Sequence, residues 1–177
     1  MKGVIVIALK ELVESKFGKD KWQEALEKAG VNKNLTILTI TDVDDQTVMK
    51  VVQSVCAVLN ISLQQAADAF GEYWVCTYAQ RMYSDYFKEC KNAKDFILKM
   101  DQIHVITTMT MANAHPPRFD YEWKNDKTLI MKYKSSRGMI DFMIGLLKGI
   151  GKQFREDLVV TKLGPDKAEI IFSYSCK

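Results

Sequence analysis

The sequence predicts an α+β fold, mainly helical over its N-terminal two thirds and then a four-stranded antiparallel sheet with an inserted helix. Three observations carry this. Apolar residues recur at helical spacing from the start to about Met111. Pro116-Pro117 then ends that run, because proline has no amide hydrogen to donate and pushes its predecessor out of helical angles. Beyond it the pattern becomes short strand-like segments separated by turns.

The first helix is written by Ile5, Leu9, Leu12, Val13 and Phe17 and ends near Gly18. A second runs from Asp20 to Ala29 and stops at Gly30, a residue suited to the left-handed helix end. Asn32 to Asp42, rich in Thr, Ile and Leu, reads as irregular. Asp44 or Asp45 opens a helix through Val48, Val51, Val52 and Val55 to Leu59. Ser62 with Gln65 forms a capping box for a helix bearing Ala66, Ala69, Phe70, Tyr73 and Trp74. A short helix covers Tyr83 to Phe87, and Asn92 with Asp95 caps another past Phe96, Ile97, Met100, Ile103 and His104 toward Met111.

After the prolines, Phe119 to Lys124 and Thr128 to Tyr133 read as strands joined by an Asn125-Asp126 turn. A helix from about Gly138 to Ile150 follows. Strands at Leu158 to Leu163 and Ala168 to Tyr174 bracket the turn Gly164-Pro165-Asp166. With no repeat or linker visible, residues 1–177 are expected to form a single domain.

Composition narrows the function. Apolar residues are 47% and charged residues 27%, the balance of a globular protein with a real core. The net charge of +3 is spread among acids rather than striped, which argues against nucleic acid as a partner. No run reaches the roughly 20 apolar residues of a membrane span. The first residues lead into an amphipathic helix with Lys10, Glu11 and Glu14 rather than a signal peptide, so a cytoplasmic protein is expected. Cys56, Cys76, Cys90 and Cys176 are widely spaced, which disfavours a disulfide or zinc framework. Cys56 and Cys76, within apolar helical patterns, are expected to be buried thiols.

There are two histidines. His104 lies mid-helix on the flank of Ile97, Met100 and Thr108, and has two readings: a partly buried histidine bonded to a carbonyl, or an axial ligand to haem iron. His115, beside the prolines, reads as a loop residue. If the strand stays extended past Tyr133, then Tyr133, Ser135 and Arg137 share one face. That row is either a polar strand end in water or a clamp for carboxylates or phosphate. Gly145 and Gly149, one helical turn apart, fit tight helix packing or the approach of a flat ligand. Trp74 and Phe142 are by default core residues, and Lys124, Lys127, Lys132 and Lys134 a solvated hairpin. No Ser-His-Asp, paired-carboxylate or phosphate-loop arrangement stands out, so the chain is not read as an enzyme.

Together these residues resemble the haem nitric oxide/oxygen-binding (H-NOX) family, which includes the sensor domain of soluble guanylate cyclase. The resemblance covers essentially the whole chain. It takes in Met1-Lys2-Gly3, Phe70-Gly71-Glu72-Tyr73-Trp74, His104, Pro116-Pro117-Arg118, the spaced Tyr133, Ser135 and Arg137, and Gly145-Leu146-Leu147. It implies that His104 is the sole protein ligand of haem b, that Tyr133, Ser135 and Arg137 hold the propionates, and that Pro117 presses on the porphyrin. The positions implied on the gas side are Ile5, Leu9, Trp74, Phe142 and Leu146. Phe142 stands where stable oxygen binders resemble one another in carrying a tyrosine, and Leu9 where some carry tryptophan; nitric oxide, with carbon monoxide, is therefore the expected ligand. The signal implied is release of His104, passed to a separate partner such as a histidine kinase or a cyclic-dinucleotide enzyme. The family's cysteine zinc site is not carried over, since Cys176 alone lies in that region. An oxygen-binding haem sensor and a haem-free anion-binding module remain as alternatives.

Overall fold

A computed structural model describes residues 1–32 and 36–173. The chain divides into two compact units, one of residues 1–66 with 111–115, the other of residues 67–110 with 116–177.

In the first unit, α1 (Gly3–Phe17) and α3 (Asp45–Leu59) both pack on α2 (Lys19–Ala29). Val6, Leu9, Leu12 and Val13 of α1, Trp22 and Leu26 of α2, and Val48, Val51, Val52 and Val55 of α3 are buried. These are the helical-period positions of the sequence. Gly30 is left-handed at φ 70° and ends α2, while the Asp44 carboxylate accepts the Thr47 amide at 2.8 Å to start α3. Lys2 and Asp42 form an isolated antiparallel bridge, so part of the expected irregular segment is paired. Residues 33–35 of that segment lie outside the described residues.

The α4 helix (Leu63–Tyr73) begins with the expected capping box: the Gln65 amide donates to Ser62 Oγ at 3.1 Å and the Ser62 amide to Gln65 Oε1 at 2.8 Å. From Ala67 onward it belongs to the second unit. It continues as a π-helical turn over Trp74–Tyr78 and then α5 (Ala79–Met82). The π turn has no counterpart in the sequence reading. Then come α6 (Ser84–Lys88) and α7 (Ala93–Thr108), whose Asn92 cap accepts the Asp95 amide at 2.8 Å. Helix α7 ends at Thr108, short of the expected Met111.

The sheet comprises β1 (Arg118–Asn125), β2 (Thr128–Lys134), β3 (Leu158–Lys162) and β4 (Lys167–Phe172), antiparallel in the order β1-β2-β4-β3. The first turn is Asp126-Lys127, one residue later than expected, because Asn125 pairs with Thr128 and its Oδ1 accepts the Lys127 amide at 3.0 Å. The Tyr174 end of the expected last strand lies outside the described residues. Between β2 and β3, α8 (Ile140–Phe154) runs four residues beyond the expected Ile150. Alternate residues Leu129, Met131 and Tyr133 of β2 and Ala168, Ile170 and Phe172 of β4 face a core shared with Ile97, Met100, Ile144 and Leu147.

Gly145 and Gly149 resolve to tight helix packing. A Cβ on Gly145 would lie 2.1 Å from the Ala67 carbonyl oxygen, and one on Gly149 would lie 2.5 Å from that of Gly71. Lys148–Asp68 at 2.7 Å and the Lys152–Glu72 pair flank this α4–α8 contact. Of the hairpin lysines, Lys132 pairs with Glu122 at 2.9 Å, Lys134 with Asp120 at 2.5 Å and Lys124 with Glu169 at 2.7 Å. Cys56 and Cys76 are half-buried rather than buried, and Cys90 is the buried thiol; Cys176 lies outside the described residues. No single helix among the described residues is long and apolar enough to cross a membrane.

Candidate functional site

His104 stands on the fourth turn of α7 and is half-buried. Its Nδ1 lies 3.2 Å from the Pro117 carbonyl oxygen. That oxygen can only accept, so Nδ1 carries a proton, and in the neutral ring Nε2 keeps its lone pair. Among the described residues Nε2 has no hydrogen-bond partner. Burial, the largest influence, holds the His104 pKa below the ordinary histidine value, outweighing the opposing pull of the Pro117 bond and of Asp101. The result is a neutral imidazole with one nitrogen fixed and the other able to bind a metal. The structure shows the carbonyl-bonded histidine of the first reading, an arrangement that metal-ligating histidines commonly share.

Phe119, at the start of β1, links His104 to the clamp candidates. Its ring centroid is 5.4 Å from the His104 ring and 6.2 Å from the Tyr133 ring. Sequence reasoning misses Phe119; its place two residues after Pro117 is the available signal.

The clamp differs from its expected form. The strand ends at Lys134, and Ser136-Arg137 turn, with the Arg137 amide donating to Ser135 Oγ at 3.3 Å and Gly138 left-handed at φ 62°. The three residues therefore do not lie along one extended strand. Burial still alternates: Tyr133 is buried, Ser135 and Arg137 are half-buried, and Lys134 and Ser136 are exposed.

A second grouping joins Trp74 to Phe142 through Phe70. Phe70 stacks on Trp74 at 5.9 Å and meets Phe142 edge-on at 5.7 Å, while Trp74 stacks on Tyr78 at 5.2 Å. Phe142 is buried, and the half-buried Leu146 packs against the core one turn along α8. Ile5, half-buried, and Leu9, buried, lie on α1 of the first unit. Trp74 opens the π turn, an element that occurs often at functional sites. His115 is exposed, and among the described residues no three His, Cys, Asp or Glu side chains form a metal-binding cluster.

A family model described as haem-NO-binding matches residues 2–162. The soluble guanylate cyclase gcy-34 of Caenorhabditis elegans is 27% identical over 157 residues, which make up 86% of this chain and 23% of the cyclase. The chain thus spans under a quarter of the length of that curated relative. A mutant H-NOX protein from S. oneidensis, in the Fe(II) ligation state, matches with a TM-score of 0.88 at 21% identity, covering 98% of this chain and 97% of the other. An oxygen-binding H-NOX domain related to soluble guanylate cyclases matches with a TM-score of 0.83 at 24% identity over 98% and 96% of the two chains. These structures share the fold of this chain.

Proposed function

This chain belongs to the haem-NO-binding family, and on that premise we propose that it senses nitric oxide through a ferrous haem b. A bound ferrous haem supplies the metal at which a diatomic gas binds. The observation that carries the reading is the neutral His104, its Nδ1 on the Pro117 carbonyl and its ring joined through Phe119 to Tyr133. A single nitrogen ligand and the head of an anion clamp thereby lie around one aromatic residue.

His104 Nε2 would hold the haem iron, and Pro117 would lie against the ring. Tyr133, Ser135 and Arg137 take the two propionates. The chain would act as a gas sensor, its output read by a signalling partner such as a histidine kinase or a cyclic-dinucleotide enzyme. Were His104 released from the iron, α7 would be free to shift, a two-state change that a partner can read only if it contacts the two states differently.

The clamp has its own expected result. Arg137→Ala removes a charge-assisted bond of the class worth about 1.5–3 kcal/mol, so haem affinity should fall about tenfold or more. Adding Tyr133→Phe and Ser135→Ala should lower it further. Titration of haem into the variants measures this, and full affinity in the triple variant would leave these residues as a solvated strand end.

Gas selectivity follows from the side chains assigned to the gas side. Ile5, Leu9, Phe142 and Leu146 bring only hydrocarbon. A stable dioxygen complex wants a hydrogen-bond donor, whereas nitric oxide does not. Reduced protein should therefore give altered absorption spectra with nitric oxide and carbon monoxide and no persistent oxygen complex in air. Phe142→Tyr should lengthen the life of an oxygen complex. The oxygen-sensor reading draws on one feature: the half-buried Trp74 indole N–H has no hydrogen-bond partner among the described residues. A persistent oxygen spectrum that disappears in Trp74→Phe would establish that alternative and overturn the nitric oxide assignment.

A further inference from the structure

We propose that Asp101 is a positioning residue for His104, holding the start of β1 on α7 so that the Pro117 carbonyl stays on the imidazole. The inference rests on the reading that His104 would hold the haem iron. Three ties of the second unit join α7 to the chain leading into β1. The Tyr121 hydroxyl donates to the Ile97 carbonyl at 2.7 Å. The Asp101 carboxylate takes the Arg118 fork at 2.7 and 2.5 Å and also the Phe119 amide at 2.9 Å. His104 Nδ1 meets the Pro117 carbonyl at 3.2 Å. Residues 97, 101 and 104 lie on one flank of the helix, so the ties form a ladder running antiparallel to β1.

The rungs are unequal. At 3.2 Å the His104 rung sits at the long end of N–H···O distances, and a slide of a few tenths of an ångström would break it. The Asp101 rung next to it has three short bonds and planar bidentate geometry, which fixes register as well as distance. The Arg118 side chain is 54% exposed and that of Asp101 24%, so this ion pair contributes little to global stability. Its effect is local. It sets where residues 117–119 stand against α7, and hence whether the imidazole keeps its orientation and its Nδ1–H tautomer.

The test uses the haem-loaded protein and reads His104 in two ways. One is the exchange rate of its Nδ1–H by NMR in the diamagnetic ferrous carbon monoxide complex. The other is the share of five-coordinate nitrosyl in the absorption spectrum. Asp101→Ala should speed Nδ1–H exchange several-fold and raise the five-coordinate share, because an outer-shell partner that orients a ligating histidine strengthens its hold on the metal. Asp101→Asn keeps an acceptor for the Phe119 amide and should fall between Asp101→Ala and the parent. Tyr121→Phe removes the outer rung and serves as the structural control: it should lower thermal stability while leaving His104 exchange at the parent rate. Unchanged exchange and nitrosyl coordination in Asp101→Ala, or equal effects from Tyr121→Phe, would overturn the positioning role. The ligand reading fails separately, by an unchanged ferrous spectrum in His104→Gly.

Discussion

The His104→Gly protein should keep its fold, lose the axial nitrogen and regain a five-coordinate ferrous spectrum when imidazole is added. The fold should survive because His104 is half-buried at the edge of the Phe119–Tyr133 cluster, while the largest fully buried side chains of the same unit are Ile97, Leu129, Met131, Leu147, Ile150 and Ile170. Imidazole restores ligation because it supplies the one group the variant lacks. The same protein also tests the output. If release of His104 is the signal, the variant should act on a partner kinase as the nitrosyl protein does, with no gas present. Coupling of this kind is typically about 1–3 kcal/mol, a change of several-fold or more in autophosphorylation. A variant that instead acts like the unligated ferrous protein would separate the His104 bond from signalling. An unchanged ferrous spectrum would remove His104 from the haem altogether.

Gly145→Val should be among the most destabilising single changes in the second unit. Its Cβ would fall 2.1 Å from the Ala67 carbonyl oxygen and 2.6 Å from that carbonyl carbon. Both are backbone atoms of α4, so no side chain can rotate away and the two helices must separate. Overpacking of a close-packed core costs about 1–3 kcal/mol and occasionally more, and here the upper end applies because backbone meets backbone. Separation would also stretch the Lys148–Asp68 pair, at 2.7 Å, which bridges the same helices. Gly138→Ala offers the contrast: no atom lies within 4 Å of its Cβ, and the strain comes from φ +62° alone. Chemical denaturation of the two variants should therefore show the larger loss at Gly145; a smaller loss there than at Gly138 would contradict the tight α4–α8 crossing.

Part of the site is legible in the amino-acid sequence. The family resemblance joins His104 to the Tyr133 region through a cofactor, and the fold brings both against Phe119. The detail of the clamp is not legible from strand alternation, because the chain turns soon after Tyr133 instead of staying extended. Gly138 is the local signal for the turn at Ser136-Arg137, since glycine takes the left-handed angle at no steric cost. Asp101 is also readable as a neighbour of His104, three residues earlier on one helix flank. That it grips Arg118 and the Phe119 amide is not readable, because those contacts cross the chain reversal at the prolines.

Local chemistry accounts for everything that can be read from the chain alone. The order of helices and strands, the Asn92 cap, the Ser62–Gln65 box and the stop at Gly30 are each settled within a few residues, where side-chain oxygens and backbone angles act directly. Long-range packing instead settles the Lys2–Asp42 bridge, the partner of each α8 glycine, the π turn at Trp74 and the tie between His104 and Pro117. The bridge, the glycine contacts and the His104 tie join residues from 13 to more than 70 positions apart, and no periodicity specifies which distant backbone will approach. The π turn is local in sequence, but its extra residue breaks the 3.6-residue period on which a helix is read, and only the packed fold shows where that occurs.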